Sequence, residues 1–238
     1  DTALAKEAGL ELGIKGSIVV NDRMETSVPD IYAAGDAVQV KHYVTGDDAL
    51  ISLAGPANKQ GRIIADNICG GDSHYLGSQG SSVIKVFDMT AATTGINETN
   101  AKKSGLEVDT VILSPMSHAG YYPGGKVMTM KVVFEKETYR LLGAQIIGYE
   151  GVDKRIDVLA TAIHAGLKAT QLKDLDLAYA PPYSSAKDPV NMAGFMIDNI
   201  AKGTLKQWHL EDMDKISKDK NVVLLDVRTV GEFNRGHM

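Results

Sequence analysis

A few side chains in this sequence have the type and setting for chemistry. The run IYAAGDAV, Ile31 to Val38, carries an apolar, strand-like segment into Gly35 and Asp36. Open α/β sheets bind ligands beyond the carboxyl ends of their strands. A carboxylate delivered there accepts two hydrogen bonds from vicinal sugar hydroxyls, and Gly35 lets a ligand approach the backbone. The same residue also reads as a plain turn aspartate. In AYAPPYSSAKDPVNMAG, Ala178 to Gly194, two prolines separate Tyr179 from Tyr183. Their fixed φ holds the backbone extended, which either aims the phenols or makes a rigid interhelix loop. Tyr121, in SHAGYYPGG, sits in an equally good turn sequence. Cys69 is the one thiol. It follows Ile63, Ile64 and Ile68 at an expected helix C-terminus, where the dipole disfavours a thiolate, so a buried structural cysteine is expected. No Cys/His spacing suggests a metal. His42, His74, His118 and His164 have no acid or nucleophile at recognisable spacing and read as surface or core residues, with His118 placed near Tyr121 to line a channel.

The elements that must position these groups follow from periodicity and punctuation. Residues 1–13 show helical spacing, with Ala3, Leu4, Ala8 and Leu12 on one stripe. Ser17–Asn21 is a short strand, and Asp30–Ala34 a second one buried on both faces. In LAGPANKQGRIIADNICGG, Pro56 suits a first helical turn and Gly70-Gly71 a stop. The Gly/Ser-rich stretch 72–82 marks a boundary. Strands are expected at Val83–Asp88, Asp109–Leu113, Lys126–Glu135 and Tyr139–Gly148, the last two forming a hairpin around Glu135 to Thr138. Val152, Ile156, Leu159 and Ile163 share one helical stripe, and Met192, Phe195, Met196 and Ile200 another, with Asp188 as N-cap and Pro189 in the first turn. Val222–Val227 reads as a fully buried strand. Strands first and helices after define an α+β module, and three sections emerge: 1–75, 76–203 and 204–238.

The bulk numbers are compatible with this reading. The 238 residues carry a net charge of -5 and are 44% hydrophobic, enough for a substantial core. No basic run suggests a nucleic-acid partner, and no apolar segment approaches the ~20 residues of a membrane span. One cysteine excludes an internal disulfide framework, so a cytoplasmic protein is the default. The first residue is Asp1, not Met, and both ends read as cut.

TSVPDIYAAGDAV, Thr26 to Val38, resembles the second flavin-binding motif of the flavoprotein disulfide reductases, T-x-x-x-x-I-Y-A-x-G-D. The resemblance implies that Asp36 binds the ribityl chain of FAD with Gly35 giving clearance. LAGPANKQGR resembles the family helix whose first amides face the flavin ring. Leu53 and Ala54 would then present backbone groups there and Pro56 would start the helix, where about half a positive charge favours an electron-rich ring edge. The family's first glycine-rich FAD fingerprint, its NAD(P)H domain and its redox cysteine are expected upstream, outside this chain.

APPYSSAKDPVNMAG and IIGYEGVDKRIDVL resemble the dimerisation domain of the single-cysteine branch, and SHAGYYPGG points within it to the coenzyme A disulfide reductases. The resemblance implies a homodimer through 76–203. Tyr121 and Tyr179 would reach the partner's cysteine as hydrogen-bond donors or general acids, with Tyr179 also near the partner's flavin. Lys187 would meet a phosphate of coenzyme A, and Asn58 would also contact that substrate. VVLLDVRTVGEFNRGHM, Val222 to Met238, resembles the opening of a rhodanese domain, matching at Asp226, Arg228, Glu232, Gly236 and His237; the rhodanese cysteine would come later.

The expected fold is therefore α/β and α+β: the C-terminal part of a Rossmann-type FAD domain (1–75), an α+β dimerisation domain (76–203) and the start of an α/β rhodanese domain (204–238). The expected function is FAD-dependent, NAD(P)H-using reduction of coenzyme A disulfide or persulfide. The rivals are an NADH peroxidase or oxidase of the same fold and, for the 238-residue piece alone, a non-catalytic dimerisation module lacking half of the flavin site.

Overall fold

The computed structural model describes residues 2–237. The first section is built from short pieces. Helix α1 (Ala3–Glu7) is brief and leaves Leu4 largely exposed; Gly9, at φ +77°, turns the chain away before Leu12 can join the expected stripe. The expected strands at 17–21 and 30–34 are reduced to single bridges, Leu12 with Ile18, Ile18 with Val38 and Glu25 with Tyr32. Asp30 takes a left-handed φ of +63° and Ile31 is exposed, so the second of these is not buried on both faces. Its backbone pairs on one side only, through the Ala33 amide to the Met24 carbonyl and the Thr26 amide to the Ile31 carbonyl, with no second strand beside it among the described residues. Strands β1 (Val40–Lys41) and β2 (Asp48–Ala49) form a small antiparallel pair. Helix α2 (Ala54–Ile68) then runs as expected and ends before Gly70, at φ +86°. The local core is Met24, Val38 and Val40, flanked by Ile63, Ile64 and Tyr75.

The second section is a five-stranded antiparallel sheet in the order β3-β4-β7-β6-β5. Strands β3 (Ser82–Val86), β5 (Val108–Leu113), β6 (Met128–Glu135) and β7 (Leu141–Gly148) lie close to their expected positions. Three elements went unread in the sequence: β4 (Met89–Gly95), whose MTAATTG lacks bulky β-formers, the short helix α3 (Glu98–Lys103), capped by Asn97, and the 3-10 segment Ala169–Asp174. Gly95 faces Gly143 where β4 crosses β7. At φ +66°, a side chain at Gly95 would run into the Leu142 carbonyl, so the close approach requires glycine.

One sheet face is covered by α4 (Val152–His164) and α5 (Pro189–Ala201). The stripe Val152, Ile156, Leu159 and Ile163 is buried as its spacing predicts. In α5 the fully buried face is Val190, Ala193 and Ile197; of the expected stripe Met192–Phe195–Met196–Ile200, Met196 and Ile200 pack at its edge while Phe195 is exposed. Gly194 decides the rotation: its missing side chain lets the helix lie directly on the backbone at Leu172 and Lys173.

Among the described residues the third section carries only a one-turn 3-10 segment and the short helices α6 (Met213–Ile216) and α7 (Val230–Phe233). It touches the sheet edge through Gln207, whose amide donates to the Thr110 carbonyl at 3.0 Å, and through His209, 2.9 Å from Asp109. The run at Val222–Val227 forms no strand, and Val223, Leu225 and Val227 are highly exposed. An apolar run becomes a buried strand only when neighbours pair its amides and cover both faces, and none does so among the described residues. No helix among the described residues is long and apolar enough to cross a membrane.

Candidate functional site

Gly35 and Asp36 form a one-turn helix on the flank of α2. Gly35 has φ +83°, and its amide donates to the side-chain carbonyl of the buried Gln60 at 2.7 Å. This bond, from the body of α2, fixes the turn and leaves the Asp36 carboxylate exposed. Leu53 is the N-cap of α2 in extended conformation, and no side chain caps the helix. The first amides of α2 thus keep the donor capacity that helix starts leave open, while Pro56, the third residue, contributes none. Asn58 turns its amide back onto the Ala54 carbonyl at 2.9 Å. Cys69, expected to be buried, is exposed at the C-cap of α2; Ile63 and Ile64 pack on the local core, but the helix end, with Ile68, projects away from it.

The second constellation lies on two loops of the sheet section. The hydroxyls of Tyr121 and Tyr179 are 2.7 Å apart. This hydrogen bond raises the pKa of the Tyr179 phenol above its ordinary value. Tyr121 is mostly exposed and Tyr179 about half so. The loop bearing Tyr121 is closed by the Ser117 amide donating to the Lys126 carbonyl at 2.7 Å, and is joined to the other loop by the Ala119 amide donating to the Ser184 carbonyl at 3.0 Å. Beneath both loops lies Arg155, 1% exposed, paired with Asp188, 3% exposed, at 3.0 Å. A cavity of ≈ 420 Å³ opens above this pair, lined by Ser117, His118, Lys154, Tyr179, Pro182 and Tyr183 among others. His118 is buried there, edge-on to Tyr122. Lys187 stands exposed immediately before Asp188, which caps α5 by accepting from the Val190 amide at 3.0 Å. Tyr183 lines the cavity but stays outside the phenol pair.

The Asp36 turn and the tyrosine pair lie in different sections and share no hydrogen bond among the described residues. Sequence reasoning missed Arg155. Its one signal was a guanidinium inside the apolar stripe of α4, between Val152 and Ile156, where a charge is tolerated only if paired. It also missed that His74 meets acids: Asp22 at 2.9 Å and Asp72 at 3.2 Å, brought together by the fold rather than by spacing. No group of metal-ligating residues forms among the described residues.

Residues 1–61 match the pyridine nucleotide-disulphide oxidoreductase family, and residues 81–189 match the dimerisation domain of the same family. The chain belongs to the pyridine nucleotide-disulphide oxidoreductases, and its fold is theirs. It is 40% identical over 187 residues to an NAD(P)H sulfur oxidoreductase (CoA-dependent) of Pyrococcus abyssi, covering 79% of this chain and 42% of that protein. It is 37% identical over 191 residues to a coenzyme A disulfide reductase of Staphylococcus epidermidis, covering 80% of this chain and 43% of that one. Among solved structures, reduced CoADR-RHD of Bacillus anthracis aligns with a TM-score of 0.96 at 48% identity, over 100% of this chain and 43% of that chain. The chain thus spans less than half the length of the relatives it matches.

Proposed function

We propose that this chain is part of a homodimeric, FAD-dependent, NAD(P)H-using reductase of coenzyme A disulfide or coenzyme A persulfide. The observation that carries the reading is the Tyr121–Tyr179 hydroxyl pair, 2.7 Å apart at the mouth of a cavity. The names of the Pyrococcus and Staphylococcus relatives support the choice of a coenzyme A-linked sulfur substrate.

The residues present suit FAD. Gly35 offers a left-handed, side-chain-free approach, Asp36 an exposed carboxylate for sugar-alcohol hydroxyls, and Leu53, Ala54 and Pro56 an uncapped helix start. Bound there, the flavin supplies two-electron transfer from NAD(P)H to a redox cysteine that we place outside residues 1–238. The phenols act on the substrate side. As a disulfide bond breaks, negative charge gathers on the departing sulfur. A hydroxyl held in place stabilises it by donating a hydrogen bond and can deliver the proton. Because each tyrosine hydroxyl is both donor and acceptor, the pair fixes both hydroxyls while one of their two protons remains to be donated. Lys187, exposed beside the loop, would meet a coenzyme A phosphate as a point charge, and Asn58 would contact the substrate once released from Ala54. The pair would serve the partner subunit's cysteine, through a dimer formed by 76–203 in the cytoplasm.

Residues 204–238 we read as the opening of a rhodanese domain. In support, Arg228 pairs with Asp226 at 2.5 Å and donates to the Gly236 carbonyl at 3.1 Å. Thr229 and Glu232 cap α7 reciprocally, and the His237 ring stacks on Phe233 at 3.7 Å. The motif's polar residues are thus occupied in folding its loop.

The test is Tyr179→Phe in the full-length protein. Flavin reduction by NAD(P)H should be unchanged, and turnover of coenzyme A disulfide should fall by roughly 10²-fold, as for loss of a general acid. Unchanged disulfide turnover removes the tyrosine from the chemistry. Rapid peroxide consumption with no disulfide turnover by the unmodified protein would replace the whole reading with a peroxidase.

A further inference from the structure

Arg155 is the largest fully buried side chain in the described structure, and its donors are distributed over three segments of chain. The Nε donates to Asp188 at 3.1 Å, and Nη1 to the Gly151 carbonyl at 3.1 Å in its own helix start. The Nη2 lies 2.9 Å from the Ser117 carbonyl, 3.1 Å from the Ser184 hydroxyl and 3.3 Å from the Tyr183 carbonyl. Ser184 in turn donates to Asp188 at 2.7 Å. Ser117 lies four residues before Tyr121, and Tyr183 four after Tyr179. One guanidinium therefore grips both tyrosine loops through their backbone carbonyls, and it lines the same cavity as Tyr179.

Stability alone is a weak reason for this arrangement. Replacing a buried ion pair with well-packed apolar residues is often neutral or stabilising, because desolvation consumes the Coulombic gain. What the pair supplies is geometry: a planar fork with fixed donor directions that a flexible ammonium cannot imitate.

We propose that Arg155 is a positioning residue of the proposed reductase: by holding the Ser117 and Tyr183 carbonyls, it sets the spacing and direction of the Tyr121 and Tyr179 hydroxyls. The inference rests on the reading that these phenols serve disulfide reduction. Misplacement by about 1 Å costs a reaction of this kind on the order of 10²-fold; the Ala119–Ser184 backbone bond joins the loops at one point, and the guanidinium adds the further contacts that fix their relative orientation. Lys154 and Glu150, which line the same cavity, supply charge near Tyr179 but do not bridge the loops.

The experiment compares Arg155→Lys, Tyr179→Phe and the double variant in the full-length flavoprotein, with two readouts. The first is kinetic. Arg155→Lys keeps a positive charge beside Asp188 but loses the fork, so kcat for disulfide reduction should fall tenfold or more while KM and flavin reduction by NAD(P)H stay within twofold. The double variant should be no slower than Tyr179→Phe alone. Multiplied effects in the double variant overturn the proposal. The second is spectroscopic and independent of turnover. With ring-carbon-labelled tyrosine, assigned through Tyr121→Phe and Tyr179→Phe, the Tyr179 phenol should titrate above the ordinary range and move down when Arg155 becomes lysine. An unmoved titration also overturns the proposal. If the titration moves but Tyr179→Phe leaves turnover unchanged, the positioning stands and the assigned function falls. Should Arg155→Lys fail to fold, Ser184→Ala removes one link and keeps the Arg155–Asp188 pair; a smaller downward movement is expected, and none overturns the inference.

Discussion

The first and second sections of this chain differ in how much of their own core they contain. The sheet section buries a continuous cluster from Ala92 to Ile197, including Val132, Ala144, Ile146 and Leu159. The first section buries Met24, Val38 and Val40. It leans on the larger body instead: Val44 joins the main cluster, and the Tyr43 hydroxyl donates to the His164 carbonyl at 2.9 Å. The tyrosine pair is thus mounted on a module that can fold by its own burial, and Asp36 on one that draws order from contacts beyond itself. The two sections are therefore preorganised to different degrees. Tyr121 and Tyr179 already meet, whereas Asp36 and the start of α2 present donors and acceptors still available to a ligand.

The largest contrast is expected in amide hydrogen exchange, where protection runs from near zero for frayed segments to the global stability for a core. Amides of β6 and β7 at Val132 and Ala144 should exchange slowest, those at Ile18 and Ala33 faster by orders of magnitude, and those at Val223 and Leu225 at nearly unfolded rates in the 238-residue chain. Equal protection of Ala33 and Val132 would show that the first section has a core of its own. Next in size is Leu159→Ala. Deleting this fully buried side chain at the sheet–helix contact should cost about 2–5 kcal/mol in denaturant unfolding. Val38→Ala in the small cluster should cost less, because its surroundings can close around the loss.

How much was legible in the sequence follows the same division. In the sheet section the period-2 runs and the α4 stripe carried their own partners within reach, so β5, β6, β7 and α4 fall where expected. Failures there have local causes. MTAATTG is a strand by pairing on both sides, not by propensity, and α5 is rotated because Gly194 lies on a neighbouring backbone. At Asp30–Ala34 and Val222–Val227 the composition demands a sheet that the described residues do not assemble, so apolar character alone misled. For the site, motif and resemblance singled out Tyr121 and Tyr179, and the fold joins them. Arg155 and the acids around His74 depend on segments far apart in the chain, which no spacing rule connects.

A smaller effect tests the flavin side. Gly35 holds φ +83°, and a methyl group there would lie 3.9 Å from the Ala57 side chain, an ordinary contact. Gly35→Ala therefore carries backbone strain without a clash, about 1–2 kcal/mol. Relief of that strain would tilt Asp36 out of place, so FAD titrated into the full-length apoprotein should bind roughly 5–30-fold more weakly. Undiminished affinity would show that this turn does not contact the cofactor.

The smallest effects, opposite in sign, come from ion pairs in the two sections. Glu98 in α3 meets Lys102 at 2.5 Å and also Lys131 on β6, and hydrogen bonding to these ammoniums lowers its pKa from 4.5 to about 2. A carboxyl with a depressed folded pKa contributes stability that is present above its unfolded value and lost as pH falls from 4.5 towards 2. His74 behaves in reverse. Its hydrogen bond to Asp22, aided by Asp72, raises its pKa above 6.5, so its contribution is fully present below 6.5 and lost as pH rises through the raised value. Acidification from neutral pH should first tighten the 21–25 and 72–74 contact and later loosen α3 from the sheet. Glu98→Gln should flatten the acid limb of the unfolding curve, and His74→Gln should flatten the limb above pH 6.5. The Glu98 change should stay within about 1 kcal/mol, the scale of exposed pairs, and the His74 change should be smaller still. If both variants altered the same limb, the two sections would be titrating as one body, and the contrast between a self-sufficient module and a dependent one would not hold.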